Sequence, residues 1–124
     1  MKEHKSIQPV EIFATGLNPI SIDGEYFTTT TDSWFPLWSY ITIVCEDFLS
    51  EDEEQIGFYP KQLRSQIPQD ISIKMARALF SEIENGNAKA FGESTFPNGD
   101  FTFSVDELSK FAHFCGLSGG FKLS

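Results

Sequence analysis

The sequence predicts an α+β fold, a single domain over residues 1–124 in which three helices pack with a few short antiparallel strands. Apolar residues recur at helical spacing in three segments, and short alternating or aromatic segments flanked by turn residues separate these helices. No repeat or low-complexity tract divides the chain. With 40% hydrophobic residues, including 13 phenylalanines, the chain is apolar enough to bury a core despite a net charge of -9.

The first elements are a lead and a hairpin. Residues 1–9 are expected to be flexible. Residues 18–27, NPISIDGEYF, predict a β-hairpin, because isoleucines alternate with polar residues before an Asp-Gly turn. Tyr26 and Phe27 would begin the return strand.

The first helix is predicted within TTTTDSWFPLWSY, residues 28–40. Asp32 or Ser33 can cap its free amide groups, and Pro36 is then tolerated in the first turn. Its apolar face is so wide that it predicts the central helix, packed on more than one neighbour. The apolar positions are Trp34, Leu37, Trp38, Tyr40, Ile41, Val44, Cys45 and Phe48.

Acidic residues dominate the segment EDFLSEDEE, which follows. Because acids oppose the dipole at a helix C-terminus, the first helix is expected to end near Leu49 or Ser50. The segment lacks the ligand spacing and central glycine of an EF-hand loop, so it predicts either a solvated charge run or a partner-binding acidic patch. The residues of this patch are Glu46, Asp47, Glu51, Asp52, Glu53 and Glu54.

The second helix is predicted to start at a capping Asp70, after a loop over residues 57–70, and to stop at Gly86. Its buried stripe would be Met75, Ala76, Leu79, Phe80 and Ile83.

A turn at residues 97–100 precedes the third helix, for which Ser104 and Glu107 predict a capping box. Gly116 is the expected stop, and GGFKLS would close the chain as an edge strand. The buried stripe would be Val105, Leu108, Phe111, Ala112 and Cys115.

Bulk charge separates the classes of partner. Eighteen acids against nine bases disfavour direct binding of nucleic acid or of an anionic membrane, and a basic partner protein fits better. The absence of a long apolar run or signal-peptide pattern predicts a cytoplasmic protein. In that compartment Cys45 and Cys115 are expected to be free, buried thiols.

No catalytic, metal or cofactor site can be assembled from the sequence, so an enzyme is not expected. His113 and Cys115 point about 200° apart on a helix, and a base must reach its nucleophile. The GLSGG segment follows a helix, whereas a phosphate loop precedes one.

The pair Trp34 and Trp38 predicts core packing, because positions i and i+4 share the apolar face. Trp34 lies at the helix start and is the better candidate for partial exposure. It leaves open an aromatic, nucleotide-like ligand pocket. That pocket would be lined by Tyr26, Trp34, Ser118, Gly119, Gly120 and Phe121.

Two motifs, at residues 34–38 and 114–121, resemble those of a family of small, uncharacterised bacterial and phage proteins. Those proteins share a Trp-x-Pro-Leu-Trp segment and a C-terminal Phe-Cys-x-x-Ser-Gly-Gly-Phe, and the resemblance covers about residues 20–123. This chain has no long Cys-rich insertion before the last helix, so a zinc site does not carry over. The matching residues are Tyr26, Phe27, Trp34, Pro36, Leu37, Trp38, Phe111, Phe114, Cys115, Ser118, Gly119, Gly120 and Phe121.

The resemblance implies a phage or mobile-element context but transfers no catalytic residue. We therefore expect a small acidic binding protein, such as an anti-defence or immunity-type inhibitor of a basic, nucleic-acid-handling host protein. The alternative is a small-ligand binding or sequestering protein that uses the aromatic pocket.

Overall fold

The computed structural model describes residues 9–15, 26–57, 66–95 and 103–123, and there it combines five helices with a four-stranded antiparallel sheet. The α+β class is confirmed, with two helices more than the sequence predicted. The helices are α1 (Thr31–Val44), α2 (Glu51–Ile56), α3 (Gln69–Glu84), α4 (Asn87–Thr95) and α5 (Val105–Leu117). The strands are β1 (Pro9–Ala14), β2 (Tyr26–Thr30), β3 (Ile67–Pro68) and β4 (Gly120–Leu123).

The sheet has the order β2-β1-β4-β3, and all its neighbours are antiparallel. Strand β4 therefore lies inside the sheet between β1 and β3, and its prediction as an edge strand is wrong. The prediction that residues 120–123 form a strand is confirmed. An interior position places Phe121 in the core, where its side chain is fully buried.

Strand β2 contains Tyr26 and Phe27, as predicted, and within the described ranges its partner is β1. Residues 18–25 of the predicted hairpin lie outside those ranges, as do residues 1–8 of the predicted lead. Pro9, which was assigned to the lead, already belongs to β1.

Helix α1 begins two or three residues earlier than the sequence indicated. The side chain of Thr30 accepts a hydrogen bond from the Ser33 amide at 3.4 Å, so Thr30 caps the helix in place of Asp32 or Ser33. The earlier start moves Pro36 into the second turn, where its missing N–H leaves the carbonyl of residue 32 without its helical donor. The helix ends at Val44, before the predicted end.

Helix α3 begins at Gln69, after Pro68, and has no side-chain cap. The prediction of Asp70 as the cap is wrong; its carboxylate lies inside the first turn, where it stabilises the helix through the dipole. The predicted stop is confirmed, since Gly86 has a φ of 85° and follows the last helical residue closely.

The most extensive helix pair is α3 with α5, so α1 is not the central helix that its wide apolar face predicted. The predicted inward residues of α3 and α5 nevertheless pack as expected, because their helical period was correct. Buried members are Met75, Ala76, Leu79, Leu108, Phe111, Ala112 and Cys115, and partly buried members are Phe80, Ile83 and Val105.

The α5 cap is half of the predicted capping box. Ser104 accepts a hydrogen bond from the Glu107 amide at 3.1 Å. The Glu107 carboxylate accepts one from the hydroxyl of Thr29 at 2.5 Å, and this bond links α5 to β2. In the described ranges no helix has the length and apolar character needed to span a membrane.

Candidate functional site

The acidic segment, defined as residues 46–54, is a turn followed by a helix start. Ser50 caps α2 by accepting a hydrogen bond from the Glu53 amide at 3.1 Å, and the Glu53 carboxylate accepts one from the Ser50 amide at 2.9 Å. This is a complete capping box. The acids at 51–54 thus stabilise the N-terminus of a further helix, and do not simply follow the end of α1 as their charge pattern predicts. The Ser-x-x-Glu spacing of Ser50 and Glu53 was the overlooked signal.

Helix α2 is attached to α1 by both indoles of the chain. The Nε1–H group of Trp34 donates to the carbonyl of Gly57 at 2.8 Å, and that of Trp38 donates to the carbonyl of Glu54 at 2.8 Å. The two rings stack with centroids 5.3 Å apart. The hydrogen bonds satisfy carbonyls in the last part of α2 and after it, where a helix leaves them free. The acidic segment is therefore held in one orientation against the core.

Apolar side chains within and beside the segment also fix its position. Leu49 and Ile56 are buried, and Phe48 packs partly against the core. The Lys74 ammonium lies 6.0 Å from the centre of the Phe48 ring, within the range of a cation–π contact. Burial on both sides of Ser50 leaves four acids of the segment exposed, whereas Glu53 and Glu54 are half-buried.

The exposed side chains of the segment are carboxylates. Glu46, Asp47, Glu51 and Asp52 are exposed, and in the described part of the chain none of them forms an ion pair. In the described ranges, a surface ion pair joins Lys110 to Asp106 at 3.4 Å on α5, away from the acidic segment. Within the described ranges the segment therefore presents four exposed carboxylates that form no ion pair, a concentrated negative charge.

The alternative pocket loses its central residue. Trp34 is 1% exposed and packs against Phe27, Trp38 and Phe111, so the prediction that it is partly exposed is wrong and the prediction of core packing is confirmed. The sequence places Trp34 at the very start of α1, where a side chain would be partly exposed. The helix begins earlier, at Thr31, so about one turn precedes this residue. Tyr26 is 44% exposed and packs on Phe13 with ring centroids 5.1 Å apart.

The two end motifs do meet, as part of the core. Phe111 lies between them, with its ring centroid 5.3 Å from that of Trp34 and 5.6 Å from that of Phe121. Aromatic contacts of this geometry stabilise a core beyond the area that they bury. The geometry accounts for these aromatic motif residues through packing alone.

Ser118 has a structural role as well. It is fully buried, accepts a hydrogen bond from the Gly120 amide at 3.2 Å, and lies 3.4 Å from the Ser72 hydroxyl, which donates to the carbonyl of Cys115 at 2.6 Å. Gly120 has a φ of 109°, and a Cβ atom there would lie 2.8 Å from the carbonyl oxygen of Ile67. Only glycine fits at this crossing of β4 and β3. Gly119, which lies between Ser118 and Gly120, also has a positive φ, of 75°.

His113 and Cys115 are separated as predicted. His113 is exposed and contacts the edge of the Phe80 ring, whereas Cys115 is fully buried. Burial raises the pKa of the Cys115 thiol, and it raises that of the Cys45 thiol to about 12. Both cysteines are free, as predicted, and the high pKa values make them poor nucleophiles. Across the described ranges, no three His, Cys, Asp or Glu side chains cluster as a metal site would require.

Comparison of the chain with protein-family models, with curated proteins and with solved structures gave no match.

Proposed function

We propose that the chain is a small binding protein that uses its acidic segment to cover a basic surface on a partner protein. The partner class is a nucleic-acid-handling host or defence protein, and the role is that of an anti-defence or immunity-type inhibitor encoded by a phage or mobile element. No catalytic step is part of the proposal.

The observation that supports this function is the set of exposed carboxylates on the acidic segment, which form no ion pair with the described residues. Four exposed carboxylates stand on a backbone held by a capping box and by two indole hydrogen bonds. A fixed segment loses little conformational entropy on binding, so more of the electrostatic attraction appears as affinity. The same charge repels nucleic acid and favours the cationic grooves that bind it.

Complex formation with basic nucleases from a candidate host tests the proposal, measured at low and at high salt. The acid variant neutralises the four exposed residues by Glu46→Gln, Asp47→Asn, Glu51→Gln and Asp52→Asn, and it leaves the Glu53 capping interaction intact. We expect wild-type binding to weaken about tenfold or more between low and high salt, because salt screens exposed charges. The acid variant should bind weakly at both.

A second variant controls for net charge. It neutralises four exposed acids elsewhere, Asp70, Glu84, Glu93 and Asp106, and so carries the same net charge as the acid variant. We expect this control to keep most of the affinity. Equal binding by the wild type and the acid variant would refute the role of the acidic segment.

The small-ligand alternative has weaker support, because the Trp34 ring offers no surface for stacking. A thermal shift of the purified protein with nucleotides would revive it.

A further inference from the structure

We propose that the outward face of α1, defined by Phe35, Ser39 and Ile43, is a docking surface for an amphipathic, basic helix of the partner protein. This inference rests on the proposed function, since it adds an apolar contact beside the acidic segment.

The outward face of α1 has an unusual composition for a helix on an acidic protein. The chain carries eighteen acids and nine bases, yet none lies from Ser33 to Val44. A helix that faces water usually carries charges on its outer side, as α3 does with Lys74, Arg77 and Glu84. From Ser33 onward, the outward positions of α1 hold apolar and hydroxyl-bearing side chains instead.

Two large apolar side chains project from this face. Phe35 is 39% exposed and Ile43 is 60% exposed. They lie on one stripe of the helix with the intervening Ser39, because positions i, i+4 and i+8 are neighbours on a helical surface. At 1.5 Å per residue, the two anchors are roughly 12 Å apart along the axis.

The acidic segment lies at the C-terminal end of the stripe. Glu46 and Asp47 follow Ile43 within one further turn of chain, and both are exposed. A ligand laid along α1 therefore meets apolar surface first and carboxylates next. Charge complementarity selects an occupant with Lys or Arg beside its apolar residues, and it disfavours acidic segments and anionic lipid.

The spacing of the anchors selects a helical occupant. Apolar residues at i and i+8 of a partner helix are roughly 12 Å apart along its axis, which matches the axial separation of Phe35 and Ile43. The lysines on the same helix would reach the carboxylates. Exposed aromatic and aliphatic anchors with a charged rim are the usual composition of a small interface.

A designed peptide tests this pairing directly. The probe is a labelled 14-residue peptide of Leu and Lys, with Leu at helical spacing on one face. The control peptide has the same composition in an order that separates the leucines around the helix. Binding to the full chain is measured by fluorescence anisotropy at two salt concentrations, with three variants in parallel. The face variant is Phe35→Gln with Ile43→Gln, and the acid variant is the one defined above. The control variant Tyr26→Gln removes an equally exposed aromatic elsewhere.

We expect the amphipathic peptide to bind at least tenfold more tightly than the control peptide. The face variant should lose at least tenfold in affinity and keep its salt dependence, and Tyr26→Gln should stay within twofold of wild type. Thermal unfolding checks that each variant is folded. Ile43→Gln alone replaces the double variant if that variant unfolds, because the side chain is largely exposed.

Equal binding of the two peptides, binding of neither, or a face variant within twofold of wild type would overturn the docking surface. If the acid variant still loses affinity for a basic nuclease, the proposed function survives that result. If the face variant loses affinity and the acid variant does not, the acidic-segment function and the choice of a basic occupant both fail.

Discussion

Replacing Gly57 by alanine tests whether α2 is fixed against the indoles of α1. A Cβ atom at this position would overlap the Trp38 ring atoms Cε2, Cδ2 and Nε1. The backbone there has a φ of −73° and a ψ of −21°, which alanine adopts readily, so backbone strain adds nothing to the cost. The ring can shift only by disturbing the core, because it is fully buried and stacked on Trp34.

The expected destabilisation combines two effects. Overpacking a filled core costs about 1–3 kcal/mol. Displacing the indoles also weakens the hydrogen bonds to the Gly57 and Glu54 carbonyls, each of which contributes about 1 kcal/mol. We therefore expect Gly57→Ala to lower the free energy of unfolding by about 2–4 kcal/mol, or the melting temperature by roughly 10 °C. Urea denaturation followed by tryptophan fluorescence measures the change, and both tryptophans lie at the affected contact.

Gly116→Ala is the matched control. A Cβ atom there would lie 3.5 Å from the Cβ of Ala76, an ordinary contact, and the residue is inside α5. The control should leave stability unchanged or raise it by up to about 1 kcal/mol, because alanine favours helix more than glycine does. In a Trp38→Phe background, the Gly57→Ala penalty should shrink, since the smaller ring frees space. A Gly57→Ala protein within about 0.5 kcal/mol of wild type would refute the proposed packing of α2.

Three further predictions concern a cap, a buried hydroxyl and a buried thiol. Ser50→Ala should lower the free energy of unfolding by about 1 kcal/mol and Ser50→Asp should restore most of it, as measured by urea denaturation, because the α2 cap needs a side-chain acceptor. Ser72→Ala should cost about 1–3 kcal/mol in the same assay, since it leaves the buried Cys115 carbonyl without its 2.6 Å hydroxyl donor, whereas the exposed control Ser81→Ala should change little. Burial raises the pKa of Cys45 from 9.0 to about 12, so the folded state holds the thiol proton more tightly and stability should fall as pH rises from about 9 towards 12. Denaturation curves from pH 7 to 11 check this, and a slope unchanged in Cys45→Ala would contradict the assignment.

The three long helices were predictable because their information is local. Apolar residues at helical spacing identify α3 and α5, and Gly86 and Ser104 correctly mark the end of α3 and the start of α5. The predicted stop at Gly116 is wrong, because α5 continues through it to Leu117. The start of α1 was misplaced, because four threonines, an aspartate and a serine all qualify as caps. Only the backbone geometry at Thr30 selects one of them.

The acidic segment shows how local rules can conflict. The run of acids was read as the end of α1, yet the same acids suit the beginning of a helix. The capping pair Ser50 and Glu53 decides in favour of a start. The acidic residues remain a proposed binding patch. Their backbone differs from the expected one, because residues 51–56 form a helix of their own.

The sequence by itself determined the α+β class, the inward stripes of the long helices and the burial of both cysteines. These properties follow from residue type and periodicity within a few turns of chain. The tertiary structure alone decided the interior position of β4 and the attachment of α2 through the indole of Trp34. Each depends on partners distant in sequence: β4 lies between β1 and β3, and the Trp34 indole donates to a carbonyl 23 residues away. Both tryptophan rings therefore pack in the core, and their N–H groups hold the acidic segment in place.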